Sequence, residues 1–370
     1  MYRFLFFTLF LFSFEVFGAK RADITVKKIL DLDIYEPYDT HLVHAGRVWE
    51  GKVKNEVDIE PCIEIFDTNG KFLHRVILNY SPTHLFPHGP DMVVVTGKRS
   101  TPQWTTFYTK IKIVNGSYKA TTHQFITDYQ IDQFVGDGKR EIFALFGDRA
   151  LLGNLTGGWS VINKEEVIGP HEMALLGSQL YVRNTHNIGA SGFETLSKID
   201  LQTGKVKIVS GDKYLQGMWN LHYHEKTGLL AYPEYLINQV TLFDPKTDLV
   251  VGSMAVEDPR SIASIGNCLA ASSYDKRTVT FYDITKVSST NPKLTTPVSV
   301  WDLAPIGPTF QKARNIGFDI KSGRLFARST YICSGCQETM SSVIMAEEPS
   351  QKTLKACMGK LANYTETHKH

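Results

Sequence analysis

Seven polar residues recur at one position of an internal repeat and would face each other in the folded chain. Counting back from a recurring glycine gives the set His41, His84, Gln133, Glu172, Asn220, Ser261 and Asn315. The residue before each member is nearly as polar, which gives a second set of Thr40, Thr83, Asp132, His171, Trp219, Arg260 and Arg314. Imidazole, amide and carboxylate groups around one axis would bind an anion or small polar ligand, or hold a metal ion.

The same polar pattern also has a structural explanation. A hydrated channel is lined by polar side chains whether or not a ligand binds there. A metal site needs three or four converging ligands, and the spacing offers only His41 and His84 in adjacent repeats, with His171 and Glu172 two repeats on. We therefore predict no cofactor and keep a metal ion as the alternative. His222 lies outside the set, because its equivalent in the last repeat is Gly317.

The repeat itself is clearest in two fourteen-residue stretches, WNLHYHEKTGLLAY (219–232) and RNIGFDIKSGRLFA (314–327), which align without a gap. Alternating hairpins with an Asp-containing turn recur at 62–78, 196–209, 240–256 and 279–286. The anchoring glycines are Gly46, Gly89, Gly138, Gly177, Gly228, Gly266 and Gly323. Seven units of four strands at a spacing of roughly 40–50 residues predict an all-β fold, a seven-bladed β-propeller of four-stranded antiparallel blades.

A propeller repeats because a single four-stranded sheet has two apolar faces and cannot bury both alone. The recurring apolar positions are therefore predicted to pack between blades, and they are Leu221, Tyr223, Leu230, Ile316, Phe318 and Leu325. Closing the ring needs a strand from outside the last repeat. Two segments compete for that place, 24–34 near the start and 353–358 near the end, and the sequence does not choose between them.

LYVRN (180–184) and the Asp turns of IDLQTG (199–204) and FDPKTD (243–248) resemble the bacterial propeller family with the Tyr-Val-Thr-Asn repeat. More loosely, the chain resembles quinoprotein-like and lactonase-type propellers. The resemblance covers most of the chain after residue 18, although the Asp turn is missing from the second and third repeats. Such families include enzymes, binding modules and proteins of no known role, so the resemblance implies a fold rather than a function.

The N-terminus has the pattern of a cleaved secretory signal. An apolar run from Phe4 to Phe14 follows one arginine, and small residues precede a cut near Ala19. We predict a leader at 1–18, then one propeller domain at 19–370 with a short polar tail, exported to the periplasm or secreted. With 40 basic and 38 acidic residues the formal net charge is +2, which gives no reason to expect nucleic acid. We expect no membrane span after cleavage, and a monomer.

Five cysteines would meet an oxidising compartment after export. CSGC (333–336) lies in a hairpin of the last repeat, which favours a structural bridge over redox chemistry. Cys333, Cys336 and Cys357 are the disulfide candidates, and the pairing among them stays open. Cys62 and Cys268 lie within strands and are predicted to be buried thiols.

The connections that leave the second strand of each repeat are rich in aromatic and arginine residues. The candidates for a partner-binding face are Trp49, Arg99, Arg183, His186, Tyr232, Tyr235, Tyr274, Arg328 and Tyr331. Equivalent strand ends lie on one face, and aromatic and arginine residues gathered there suit a protein, glycan or peptide partner. Scattered surface charge is the ordinary alternative.

The leading hypothesis is an exported, non-enzymatic propeller that binds a protein, a glycan or a small polar ligand on one face. The alternative is a channel-mouth enzyme, a lactonase or metal-dependent hydrolase, using some of His41, His84, Asp132 and Glu172 as ligands or general base. The sequence has no nucleophile elbow, phosphate loop or dinucleotide fingerprint. NGS (115–117), NLT (154–156) and NYT (363–365) match the glycosylation acceptor pattern.

Overall fold

The structure is a computed structural model of the chain. The residues that it describes are 21–32, 41–52, 60–99, 105–125, 130–137, 140–146, 151–154, 159–162, 169–184, 194–210, 215, 220–288, 290–304, 312–332 and 339–359. The predicted leader at 1–18 and the tail beyond 359 lie outside these residues.

The described chain forms seven β-sheets, and the all-β prediction is confirmed. The first strand, β1 (Thr25–Leu32), belongs to the last sheet. Sheet 1 contains β2 (His41–His44), β3 (Arg47–Lys52), β4 (Cys62–Phe66) and β5 (Phe72–Ile77). Sheet 2 contains β6 (Ser81–Pro87), β7 (Met92–Arg99), β8 (Thr105–Val114) and β9 (Ser117–Phe125).

The next two sheets follow in chain order with the same four-strand arrangement. Sheet 3 contains β10 (Gln130–Gly136), β11 (Glu141–Phe146), β12 (Leu151–Asn154) and β13 (Trp159–Val161). Sheet 4 contains β14 (Pro170–Leu176), β15 (Gln179–Asn184), β16 (Thr195–Asp200) and β17 (Val206–Ile208).

The last three sheets depart slightly from that order. Sheet 5 contains β18 (His222–His224), β19 (Leu229–Glu234), β20 (Gln239–Asp244) and β21 (Leu249–Ala255). Sheet 6 contains β22 (Pro259–Ile265), β23 (Cys268–Ser273), β24 (Thr278–Asp283) and, after an excursion, β26 (Ser299–Asp302). Within that excursion β25 (Lys293–Leu294) joins sheet 5 as a parallel fifth strand. Sheet 7 contains β27 (Lys312–Asp319), β28 (Arg324–Ile332), β29 (Thr339–Glu347) and β1.

The Asp-containing turns have a local cause. Asp67 Oδ1 accepts hydrogen bonds from the backbone N–H groups of Asn69 and Lys71. Asp200 Oδ1 does the same for Gln202 and Thr203. A carboxylate that accepts from the backbone two to four residues further on fixes a tight turn, which is why Asp recurs where the third strand ends.

The core is divided among seven hydrophobic clusters, and each lies between two sheets. Six clusters join consecutive sheets from sheet 1 to sheet 7. The seventh joins sheet 7 back to sheet 1, through Phe326 and Val343 on one side and Val48 and Phe66 on the other. The six packing residues predicted from the repeat all lie in these clusters, Leu221, Leu230, Ile316 and Leu325 as buried members and Tyr223 and Phe318 as partly buried ones.

The N-terminal segment supplies the strand that completes the last sheet. β1 pairs antiparallel with β29, from Thr25 opposite Glu347 to Leu32 opposite Ser341. The competing segment is no strand, because Lys352–Met358 forms the helix α1. No helix among the described residues is long and apolar enough to cross a membrane.

The prediction that Cys268 is a buried free thiol is wrong. Cys268 at the start of β23 forms a disulfide with Cys357 in α1. The helix packs under the turn between β22 and β23, where the N–H of Asn267 donates to the carbonyl oxygen of Cys357 at 2.8 Å. Cys62 is buried, as predicted, and Cys333 and Cys336 lie outside the described residues.

Candidate functional site

The predicted polar set lies on or just before the first strand of each sheet, which we call the innermost strand. In five of these strands the pairing with the second strand shifts register there, between Pro82 and His84, Ile131 and Gln133, Pro170 and Met173, Pro259 and Ile262, and Arg314 and Ile316. A bulge turns the local side chains away from regular alternation. Asn315 at the last of these points has φ +38°, a left-handed conformation that few residues other than glycine adopt.

Two members of the set meet between sheets 3 and 4. The side-chain amide of Gln133 donates to Glu172 Oε2 at 2.7 Å, and Gln133 Oε1 accepts from the N–H of Phe134 at 3.0 Å. The repeat therefore places these equivalent positions side by side, as predicted. Because the Gln133 amide donates to the Glu172 carboxylate, these two groups have fewer hydrogen bonds left to offer a ligand.

Ser261 joins sheets 6 and 7 in a similar way. Its Oγ accepts from the N–H of Ile316 at 3.1 Å, and its own N–H donates to Ser272 Oγ at 3.1 Å. The side chain is buried. Ser261 is thus part of the contact between neighbouring innermost strands.

Other members of the set are placed one by one here, and Arg260 is described with the connection face below. His84, His171 and Asn220 are half-buried, and the His84 ring stacks on Phe86 with centroids 5.8 Å apart. The side chains of His41, Asp132 and Arg314 lie outside the described part of the chain, as does Trp219. Among the described residues, no three histidine, cysteine or acidic side chains come together as a metal site would require.

The topology fixes which connections share a face. Apart from the added strand β25, neighbouring strands of each sheet run antiparallel, so the connections after the second and fourth strands lie on one face of the molecule. The hairpin turns after the first and third strands lie on the opposite face. The face with the connections after the second and fourth strands is called the connection face. The face with the hairpin turns is called the turn face.

On the connection face, a residue from the polar set meets two residues predicted for partner binding. Arg260 Cζ lies 4.2 Å from the ring centroid of Tyr235 and 4.9 Å from that of Tyr274. Arg260 Nε lies 3.2 Å from Asp258 Oδ1. Two aromatic rings and a carboxylate thus surround one half-buried guanidinium, which is a strongly favourable environment for arginine. We call Tyr235, Leu236, Ile237, Arg260 and Tyr274 the arginine patch.

Two left-handed residues hold the base of the arginine patch. Asn238 (φ +55°) ends the 3-10 turn Tyr235–Ile237, and its Oδ1 accepts from the N–H of Asp258 at 2.8 Å. Asp258 (φ +42°) accepts in turn from the N–H of Tyr274 at 3.0 Å. Asp258 therefore ties together the two connections that carry the tyrosines, through one hydrogen bond to the Asn238 side chain and one from the Tyr274 backbone.

The 3-10 turn also presents apolar side chains to solvent. Leu236 and Ile237 are 54% and 47% exposed, immediately after Tyr235. Lys276 and Glu257 lie at the border, with an ion pair at 3.1 Å between two exposed side chains. An apolar and aromatic centre with a charged border is the usual anatomy of a protein-binding surface.

Three residues predicted for the partner-binding face are in the interior instead. Trp49 is fully buried, and its Nε1 donates to the His44 carbonyl at 3.1 Å. Tyr232 is 2% exposed and Arg328 is 3% exposed. These predictions are wrong, because the second strand of each sheet is covered on both faces, so a residue there can be aromatic or charged without reaching the surface.

The other face candidates are less informative. Arg183 is half-buried and ion-paired with Glu194. The side chains of Arg99 and Tyr331, and the whole of His186, lie outside the described residues. Their part in binding stays a prediction.

The structure adds polar contacts that sequence reasoning missed. His222 Nε2 lies 2.5 Å from Ser264 Oγ across sheets 5 and 6, and burial together with the neighbouring His224 lowers the pKa of His222 to about 4. Between sheets 2 and 3, Glu141 Oε1 binds Lys110 Nζ at 2.5 Å and lies 3.6 Å from His88 Nε2. His88 and His224 recur near the ends of two first strands, and this recurrence is a sequence signal that could have directed attention to the interior histidines.

Solved structures with similar folds identify the architecture. No protein-family model and no curated protein matches the sequence. Virginiamycin B lyase from Staphylococcus aureus superposes with a TM-score of 0.56 at 12% identity, covering 87% of this chain and 99% of its own. A streptogramin B lyase gives 0.56 at 13% identity, with 88% and 97% covered. Hsv2p from Kluyveromyces lactis gives 0.52 at 10% identity, with 86% and 99% covered.

At these identities the likeness concerns the fold alone. The chain is a β-propeller with four-stranded antiparallel blades, as the repeat predicted. The same fold carries two lyases and Hsv2p at 10–13% identity to this chain, and a fold by itself does not specify a chemistry.

Proposed function

We propose that this protein is an exported, non-enzymatic, seven-bladed β-propeller that binds a protein partner through the arginine patch on its connection face. The observation that carries the proposal is the convergence of Arg260 with Tyr235 and Tyr274 beside exposed Leu236 and Ile237. Tyrosine and arginine are enriched at the energetic centres of protein interfaces.

The arginine patch suits a protein better than a glycan or a small polar ligand. Sugar rings bind by stacking on open aromatic faces, but here the guanidinium of Arg260 already lies over one face of each tyrosine ring. Exposed leucine and isoleucine side chains offer little to a polar ligand and bury well against apolar side chains. The hydrogen bonds through the Asn238 side chain and the Asp258 backbone hold the arginine patch in place, so binding would order few groups.

Seven blades and export rest on separate observations. The seven hydrophobic clusters, the last of which returns to sheet 1, support a ring of seven blades. The Cys268–Cys357 disulfide supports export, because structural disulfides persist in oxidising compartments.

The test uses the mature chain immobilised and exposed to the secreted fraction of its source. Leu236→Ser with Ile237→Ser removes the apolar part of the arginine patch. Leu249→Ser with Val250→Ser is the matched control, since these two are 62% and 60% exposed at the start of β21. We expect a protein that wild type and the control retain equally and that the patch variant retains at least tenfold less.

Two further treatments separate the classes of partner. Digesting the secreted fraction with a protease should abolish capture, whereas removing glycans should not. Equal retention by all three chains, or capture that survives the protease and is lost with the glycans, would overturn the proposal.

A further inference from the structure

One acceptor pattern lies at the tip of a fully paired hairpin. Val114 at the end of β8 pairs with Ser117 at the start of β9, which leaves Asn115 and Gly116 as a two-residue turn. Their φ angles are +50° and +77°, both left-handed. Asn-Gly is the preferred pair for such a turn, because both central residues need positive φ.

The tip is open to a large enzyme. Asn115, Gly116 and Ser117 are all exposed. A Cβ placed on Gly116 would meet nothing within 4 Å. A bulky group on the Asn115 amide would therefore stand in solvent without displacing any neighbouring sheet.

Turn geometry explains Asn115 and Gly116 but not Ser117. The hydroxyl two residues after the asparagine is the second requirement of the acceptor, and a paired strand position on an exposed edge accepts many residue types. The coincidence of the hydroxyl with an exposed Asn-Gly turn is the observation that points to modification.

A second acceptor pattern begins on the same face. Asn154 is the last residue of β12, the third strand of sheet 3, as Asn115 follows the third strand of sheet 2. Third strands of all sheets run towards the turn face. A glycan at Asn115 would thus stand opposite the connection face and leave the arginine patch open.

We propose that Asn115 is an N-glycosylation site used during export. The Asn115 side-chain nitrogen attacks the anomeric carbon of a lipid-linked oligosaccharide diphosphate. The new C–N bond replaces the bond to the lipid diphosphate, which leaves with the electron pair while the amide loses one proton. No group is oxidised or reduced, and the glycosylating secretory pathway supplies the donor.

The experiment secretes the whole chain from glycosylating eukaryotic cells behind a host leader, so that its own leader is not under test. The peptide containing residue 115 is analysed by mass spectrometry before and after enzymatic glycan removal. Wild type should lose the mass of one glycan. Ser117→Ala should carry none, although it keeps the Asn-Gly turn intact.

Ser117→Thr restores a hydroxyl and should carry the glycan again, so misfolding of the alanine variant cannot imitate the result. Spontaneous deamidation of the Asn-Gly pair would convert the amide without any loss of glycan mass. A wild-type peptide that is unmodified or only deamidated, or a glycan that persists on Ser117→Ala, would overturn the assignment. Capture by the arginine patch is measured separately, so either proposal can fail alone.

Discussion

The guanidinium carbon of Arg260 lies 4.2 Å from the centre of the Tyr235 ring, and the two residues come from different sheets. We predict that Arg260→Lys lowers the free energy of unfolding by about 1 kcal/mol, because lysine keeps the charge but cannot place a flat group between two rings. Urea unfolding, followed by the intrinsic fluorescence of the protein, measures this change in the free energy of unfolding.

The control for that substitution is Arg21→Lys. Arg21 also pairs with a carboxylate, Asp302 at 2.9 Å, but its side chain is 73% exposed. Exposed ion pairs contribute little, so the control should leave the urea midpoint nearly unchanged. Equal effects of the two variants would show that the tyrosine rings contribute nothing.

Buried histidines should make the fold sensitive to acid. Burial lowers the pKa of His222 to about 4, so the folded chain keeps the ring neutral while the unfolded chain binds a proton below about pH 6.5. The contribution of neutral His222 to the free energy of unfolding is fully present above pH 6.5 and is lost as the pH falls towards 4. Between pH 7 and pH 5 this one site should lose about 1 to 2 kcal/mol.

Burial also lowers the pKa values of His44, His88 and His224, so their contributions have the same sign. Urea unfolding at pH 7 and pH 5 tests the prediction by comparing wild type with His222→Gln, which should lose less stability on acidification. His74→Gln makes the same substitution at an exposed site and controls for the exchange of side chains itself. An unchanged pH dependence in His222→Gln would contradict the assignment.

The repeat predicted the four-stranded blades, because packing between neighbouring sheets requires apolar residues at the same position of each repeat. Leu230 and Leu325 occupy equivalent places between sheets, so burial forces the same residue type at the same spacing. Gln133 and Glu172 likewise meet because they hold equivalent places on the first strands of consecutive sheets. Such local, repeated constraints leave a clear pattern in the sequence.

Contacts made once in the chain leave no such pattern. Cys268 and Cys357 are 89 residues apart, and only the position of α1 under sheet 6 brings them together. Trp49 resembles an exposed aromatic residue in the sequence, because alternation cannot tell a strand covered on one face from a strand covered on both. Arg260, Tyr235 and Tyr274 were predicted separately, and only the structure places them in one cluster.

The Cys268–Cys357 disulfide should stabilise the fold by restricting the unfolded chain. Closing a loop of 89 residues corresponds to about 4–5 kcal/mol in the chain-entropy account. Cys357→Ser should therefore lower the free energy of unfolding by 2 kcal/mol or more, roughly the lower range for native disulfides. Guanidinium unfolding of wild type and variant measures the change.

A reducing agent provides the control for that measurement. It should destabilise wild type by about as much as Cys357→Ser does, and it should add much less to the variant. If the reducing agent shifts both chains equally, the stabilisation comes from other cysteines.

The contact between α1 and the turn at Gly266 predicts a difference between two equivalent glycines. Gly266 has φ +57°, and a Cβ there would lie 2.6 Å from the carbonyl oxygen of Cys357. Gly177 holds the same place in sheet 4 with φ +56°, and a Cβ there would meet nothing within 4 Å. Gly177→Ala should cost only the left-handed strain, about 1–2 kcal/mol.

Gly266→Ala should cost the same strain and also push α1 away from sheet 6. The backbone oxygen of Cys357 cannot move alone, because it accepts from the N–H of Asn267 at 2.8 Å while its own residue is held by the disulfide. We expect Gly266→Ala to lower the urea midpoint clearly more than Gly177→Ala, and limited proteolysis to cut near residues 352–358 in that variant alone. Equal midpoints and identical cleavage patterns would mean that the helix does not rest on this turn.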